Sequence, residues 1–158
     1  MCSAKHITVV GHRGAMGCMT ENTIVSFRAA AAMGAEWVEL DVQQTRDRHV
    51  VVFHDTRIGK DGPSVSDLSL AEIRELMEPA GVQVPTLNEV VAACKTILGL
   101  NIEVKDRGLA ADLLLDSIKM YDPSRVLVSS FMHDYLYDLH RVAPHIPLGL
   151  LMSSRLVD

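Results

Sequence analysis

No stretch of this 158-residue chain reaches the ~18 apolar residues of a membrane-spanning helix, so no membrane span is expected. The apolar run near the start, Ile7 to Val10, is short and leads straight into polar residues, which is not the form of a signal peptide. Cysteine is scarce as well. Cys2, Cys18 and Cys94 are odd in number and show no CxxC spacing, so they read as free thiols in a reducing compartment, with neither a disulfide framework nor a zinc site. Positive charge is also in deficit. A formal net charge of -5 provides no basic field for nucleic acid, and any recognition of phosphate must be local. The expectation is a cytoplasmic protein without a nucleic-acid partner. No linker or low-complexity tract interrupts the chain, and its length suits one domain, residues 1–158, with a real core.

What is present is a set of short apolar runs that end in titratable residues. Strands are expected at 7–11, 37–42, 50–54, 100–105, 126–130 and 148–152. Helices are expected at 23–33, 69–77, 86–97, 109–121 and 133–142, the first capped by Asn22 or Thr23 and the third by Thr86 with Glu89. Alternation of this kind argues for parallel βα units buried on both faces. Residues 56–85 are rich in turn formers and read as an excursion from that scaffold. Glu39 and Asp41 share one face of their strand, as do Glu103 and Lys105, because side chains alternate along a strand. Ionised groups at buried strand ends are costly unless paired or bound to a metal. In parallel βα folds the loops at the carboxyl ends of the strands carry the chemistry, and His12, Arg13, His54 and Asp55 fall at such ends.

The motifs HRGA (12–15), ENT (21–23), GAEWVELDVQQTRD (34–47), VVFHD (51–55), PTLNEV (85–90), NIEVK (101–105) and SSF (129–131) resemble the glycerophosphodiester phosphodiesterase family in order and spacing. The resemblance covers most of the chain. It implies an α/β fold of the (β/α)8 TIM-barrel type, with an insertion after the third strand at 56–85. Thr20 stands where the family usually has proline before ENT. A barrel of eight units needs about 250 residues, so about six βα units are expected here and the barrel would be incomplete.

The resemblance implies metal-dependent hydrolysis of glycerophosphodiesters to glycerol 3-phosphate and an alcohol. Glu39, Asp41 and Glu103 look like oxygen ligands for Mg²⁺ or Ca²⁺. A structural ion cluster with Arg13 and Lys105 is the other reading of the same residues. His12 and His54 look like the general acid–base pair, in an order that sequence does not assign. Arg13 and Lys105 look like clamps on the substrate phosphate. Asn22 and Phe131 are weaker candidates for the substrate pocket; helix capping explains Asn22 adequately, and a core aromatic would account for Phe131 equally. Asp55 is expected to orient its loop or His54. Two other functions are carried: lysophospholipase D-like action on acylated lysophospholipids, and a truncated form that only binds or regulates. An incomplete barrel would also expose a strand edge near 148–152 and allow self-association.

Overall fold

A computed structural model describes residues 6–153. The sheet has six strands: β1 (Val10–His12), β2 (Trp37–Gln44), β3 (Val50–Val52), β4 (Gly99–Val104), β5 (Val126–Ser130) and β6 (Leu148–Leu150). Its order is β1-β2-β4-β5-β6, all parallel, with β3 paired to β2 off that path. The helices α1 (Ile24–Ala32), α3 (Leu87–Cys94), α4 (Ala111–Ile118) and α5 (His133–Val142) pack on one face, and α2 (Leu70–Met77) lies in the excursion. The alternation read from sequence is therefore that of a partial βα barrel.

Two features depart from the sequence reading. β3 is antiparallel to β2, with Val42 opposite Val52 and Gln44 opposite Val50, so five strands rather than six follow the barrel order. The cause is the length of the connection. Residues 45–49 suffice for a hairpin, whereas a parallel crossover takes a dozen residues or more. The first strand is also shorter than 7–11 and is not buried. It spans Val10–His12, and Ile7 and Val9 lie exposed beside an edge with no partner among the described residues.

The two faces of the sheet differ in kind. Val38, Leu40 and Val42 of β2, Leu100, Ile102 and Val104 of β4, and Val126 and Val128 of β5 are buried with Phe27, Leu87, Val90, Leu114 and Leu139 of the helices. The opposite face carries His12, Glu39, Asp41, Gln43, Asn101, Glu103 and Ser129, in the alternation that a strand imposes. Burial on both sides was the expectation; burial in hydrocarbon holds for one side only.

The helix ends are as the sequence implied. Thr23 caps α1 by accepting from Ser26 N, and Thr86 with Glu89 forms a complete capping box on α3, as Ser69 and Glu72 do on α2. The excursion builds a small core of its own, in which Val65, Ile73 and Val84 pack on Val51 of β3.

Candidate active site

Strand register builds the site. Parallel pairing places His12 beside Glu39, Asp41 beside Glu103, and Glu103 beside Ser129. Glu39 and Asp41 lie in the middle of β2 rather than closing it, because β2 runs on to Gln44 to form its hairpin with β3. The hairpin then returns the chain toward the site, with Phe53 N donating to Asp41 O at 3.0 Å. His54 thus arrives from an antiparallel strand, not from the end of a parallel one.

Glu39, Asp41 and Glu103 each offer a carboxylate oxygen, and these oxygens lie within 4.8 Å of one another. They are only 8%, 1% and 9% exposed, so their mutual repulsion is poorly screened. Burial above all, then the charge of Asp41, pushes Glu39 up to about 7. Glu39 Oε1 is buried with no hydrogen-bond partner. A trio of hard oxygen donors, one of them orphaned and all of them crowded, could hold a metal ion.

Two cations flank the trio. Arg13 Nε stands 3.3 Å from Asp41 Oδ2, and its Nη1 donates to Glu21 Oε1 at 2.9 Å. Burial works to lower the Arg13 pKa, but the bond to Glu21 and the charges of Asp41, Glu21 and Glu39 outweigh it and raise it. Lys105 Nζ donates to Glu103 Oε1 at 2.9 Å and lies 3.6 Å from Asp41 Oδ1. The metal-ligand and ion-cluster readings therefore describe one arrangement, since pairing to both cations still leaves Glu39 Oε1 unsatisfied.

The turn after β1 is tightly fixed. Arg13 adopts φ 50° and Gly14 φ 84°; a Cβ on Gly14 would come within 2.4 Å of Ser26 Oγ, so only glycine fits the HRG turn. Arg13 N donates to Glu39 Oε2 at 3.0 Å, and Arg13 O accepts from Asn22 N and Ser26 Oγ. His12 projects beside this turn, its ring 60% exposed and its Nε2 3.7 Å from Glu39 Oε2. His54 is more enclosed, and its Nδ1 lies 2.8 Å from Asp55 Oδ1, which orients the ring and leaves Nε2 free.

Asn22 is not the cap of α1, a place taken by Thr23. It is 3% exposed at φ 56°; its Nδ2 donates to Asp41 Oδ2 at 2.9 Å and its Oδ1 accepts from Asp41 N at 3.2 Å. Its amide is committed to holding Asp41. Phe131 is 53% exposed and so is not a core aromatic. Gln43 was missed: its Nε2 donates to the carbonyls of Phe53 and Asp55 at 2.8 Å each, which ties down the loop that presents His54. The signal lay in the period-two series Glu39, Asp41, Gln43. A groove of about 890 Å³ between α1 and the excursion contains none of these residues, whereas a pocket of about 350 Å³ includes Lys105 and Gln43.

The model of the glycerophosphoryl diester phosphodiesterase family matches residues 12–158. The chain belongs to that family. It is 39% identical over 168 residues to a glycerophosphodiester phosphodiesterase of Caldanaerobacter subterraneus, covering 95% of this chain and 68% of the relative. The glycerophosphodiester phosphodiesterase of Thermotoga maritima superposes with a TM-score of 0.81 at 32% identity, covering 96% of this chain and 65% of that one. An Oleispira antarctica phosphodiesterase, solved with the product sn-glycerol-3-phosphate, superposes at 0.82 and 28% identity, with 94% and 67% covered. The chain thus spans about two thirds of the length of these relatives. No helix among the described residues is long and apolar enough to cross a membrane.

Proposed function

We propose that the chain hydrolyses glycerophosphodiesters to glycerol 3-phosphate and an alcohol in the presence of Mg²⁺ or Ca²⁺. The observation that carries this reading is the buried carboxylate trio with an orphaned oxygen, flanked by Arg13 and Lys105 and with His12 Nε2 3.7 Å from Glu39. The product seen in the Oleispira antarctica relative agrees with it.

Glu39, Asp41 and Glu103 would hold the cation, which when bound supplies positive charge to polarise the phosphate oxygens. Arg13 and Lys105 hold the phosphate from either side and stabilise charge that grows on its oxygens. One histidine takes the proton of the attacking hydroxyl, either water or the neighbouring glycerol 2-hydroxyl, and in the second case water must then open the resulting cyclic phosphate to give glycerol 3-phosphate. The other protonates the departing alkoxide. Asp55 on Nδ1 fixes His54 so that its Nε2 faces the reaction.

Hydrolysis of glycerophosphocholine and glycerophosphoethanolamine should stop in excess chelator and return with Mg²⁺ or Ca²⁺. Glu39→Gln or Asp41→Asn should weaken cation affinity by tenfold or more, on the order of one lost ligand. His12→Ala and His54→Ala should lower turnover by about 10²-fold or more with cation binding retained. Turnover that persists in chelator would remove the metal from the mechanism. The chain is also proposed to self-associate through the free edges of β1 and β6, each of which has one partner strand.

A further inference from the structure

The 350 Å³ pocket beside Lys105 is lined from two directions. Thr56, Ser64 and Ser66 come from the excursion, and Lys105, Asp106 and Arg107 from the loop after β4. Lys105 belongs both to this pocket and to the carboxylate cluster, so a group bound here lies next to a phosphate held by Lys105. Its volume is at the low end of small-molecule sites.

We propose that this pocket receives the leaving alcohol and selects a polyhydroxylated head group over a quaternary ammonium one; the inference rests on the phosphodiesterase reading above. Hydroxyls dominate one wall. Ser64 Oγ lies 3.0 Å from Ser66 Oγ, either of which can donate or accept, and Ser64 Oγ is 3.3 Å from the backbone carbonyl of Thr56, which accepts. The other wall contributes N–H groups of Lys105, which also pairs with Glu103, and of Arg107, whose Nη1 donates to Asp134 and whose remaining guanidinium N–H groups have no partner among the described residues. A polyol offers both donors and acceptors to such a lining.

A quaternary ammonium group finds neither of its usual partners. No aromatic ring lines the pocket, so the cation–π cage that suits such ions is absent from the lining. The carboxylate of Asp106 is already engaged, with Oδ1 accepting from Gly108 N at 2.8 Å and Oδ2 from Gln44 N at 3.3 Å. Met132 is the single apolar residue of the lining, which leaves an acyl chain without a wall and speaks against a lysophospholipid in this pocket.

Binding separates this inference from the chemistry it rests on. In the His12→Ala/His54→Ala background with Mg²⁺ or Ca²⁺ present, calorimetric titration should show glycerophosphoinositol binding at least ~10-fold more tightly than glycerophosphocholine, the effect of one or two hydrogen bonds. Ser64→Ala/Ser66→Ala should erase that preference by weakening glycerophosphoinositol alone. Thr56→Val, at an exposed position outside the excursion's own core, should reduce it in the same direction. Equal affinities, no binding of either ligand, or a preference that survives these substitutions would overturn the pocket assignment. A preference without turnover in the unsubstituted chain sinks the hydrolase reading and keeps the pocket, whereas turnover without a preference does the reverse.

Discussion

Asn22 grips Asp41 by both backbone and carboxylate, and does so from a left-handed backbone that a short amide tolerates better than most side chains. Asn22→Ala should destabilise the fold by about 1–3 kcal/mol through the groups left unpaired, and should weaken cation affinity. Asn22→Gly relieves the backbone while still removing the bonds. If denaturation shows Asn22→Gly near wild type, the backbone and not the hydrogen bonds carries the effect. Glu39 supplies the pH dependence. With its carboxyl raised to about 7 from 4.5, the native state binds more protons than the unfolded chain between those values. Stability of the metal-free chain should therefore fall as pH rises through that window, by at most about 3.5 kcal/mol at ~1.4 kcal/mol per pKa unit. The proton competes with the cation, so cation affinity should weaken below about pH 7. Denaturation in chelator at pH 5 and pH 8 checks the sign, and Glu39→Gln should flatten the difference; an unchanged slope in that variant contradicts the assignment. The candidate ligands and histidines were legible in sequence because each sits inside a spaced motif. Asn22 was misread because its role depends on a φ angle and a partner nineteen residues away, and neither appears in a string of letters.

At the scale of elements, sequence supplied the existence and type of every strand and helix, and lost the direction of one. Val50–Val52 reads as a strand whichever way it runs. The signal that would have decided its direction was the short link before it, which admits a hairpin and no crossover. That reversal returns the chain along β2, with Phe53 N donating to Asp41 O one residue before His54, so the missed direction bears on the candidate site. A second element-level contact also lay beyond the sequence reading. Trp37 and Gly99 are register partners at the start of β2 and β4, and a Cβ on Gly99 would fall 2.2 Å from the Trp37 ring. Gly99→Ala should destabilise by about 1–3 kcal/mol, as overpacking does. Trp37→Leu/Gly99→Ala should then cost less than the sum of the two single substitutions, because the smaller side chain makes room. Additive losses in a denaturation cycle would show that the close approach is not what limits position 99.

At the scale of the whole molecule, five parallel strands form an open sheet whose two outer strands differ from its centre. β2 and β4 pair continuously from Trp37–Gly99 to Val42–Val104, and all three carboxylates stand on that central pair. Among the described residues β1 and β6 each have a single neighbour, and Val10 and Leu150 on them are 48% and 63% exposed. Unpaired apolar edges recruit further strands. The 158-residue chain should therefore associate as its concentration rises, which sedimentation velocity over a dilution series would show, and Leu150→Lys should reduce that association. The cation site depends on the centre and should titrate alike in both forms. On the proposed mechanism turnover also needs His12, which sits on the outer strand β1, placed to within about 1 Å if the rate is not to fall some 10²-fold. Turnover should accordingly follow association while cation affinity does not. A chain that stays monomeric across the series with full turnover would show that the open sheet positions His12 without a partner at its edge.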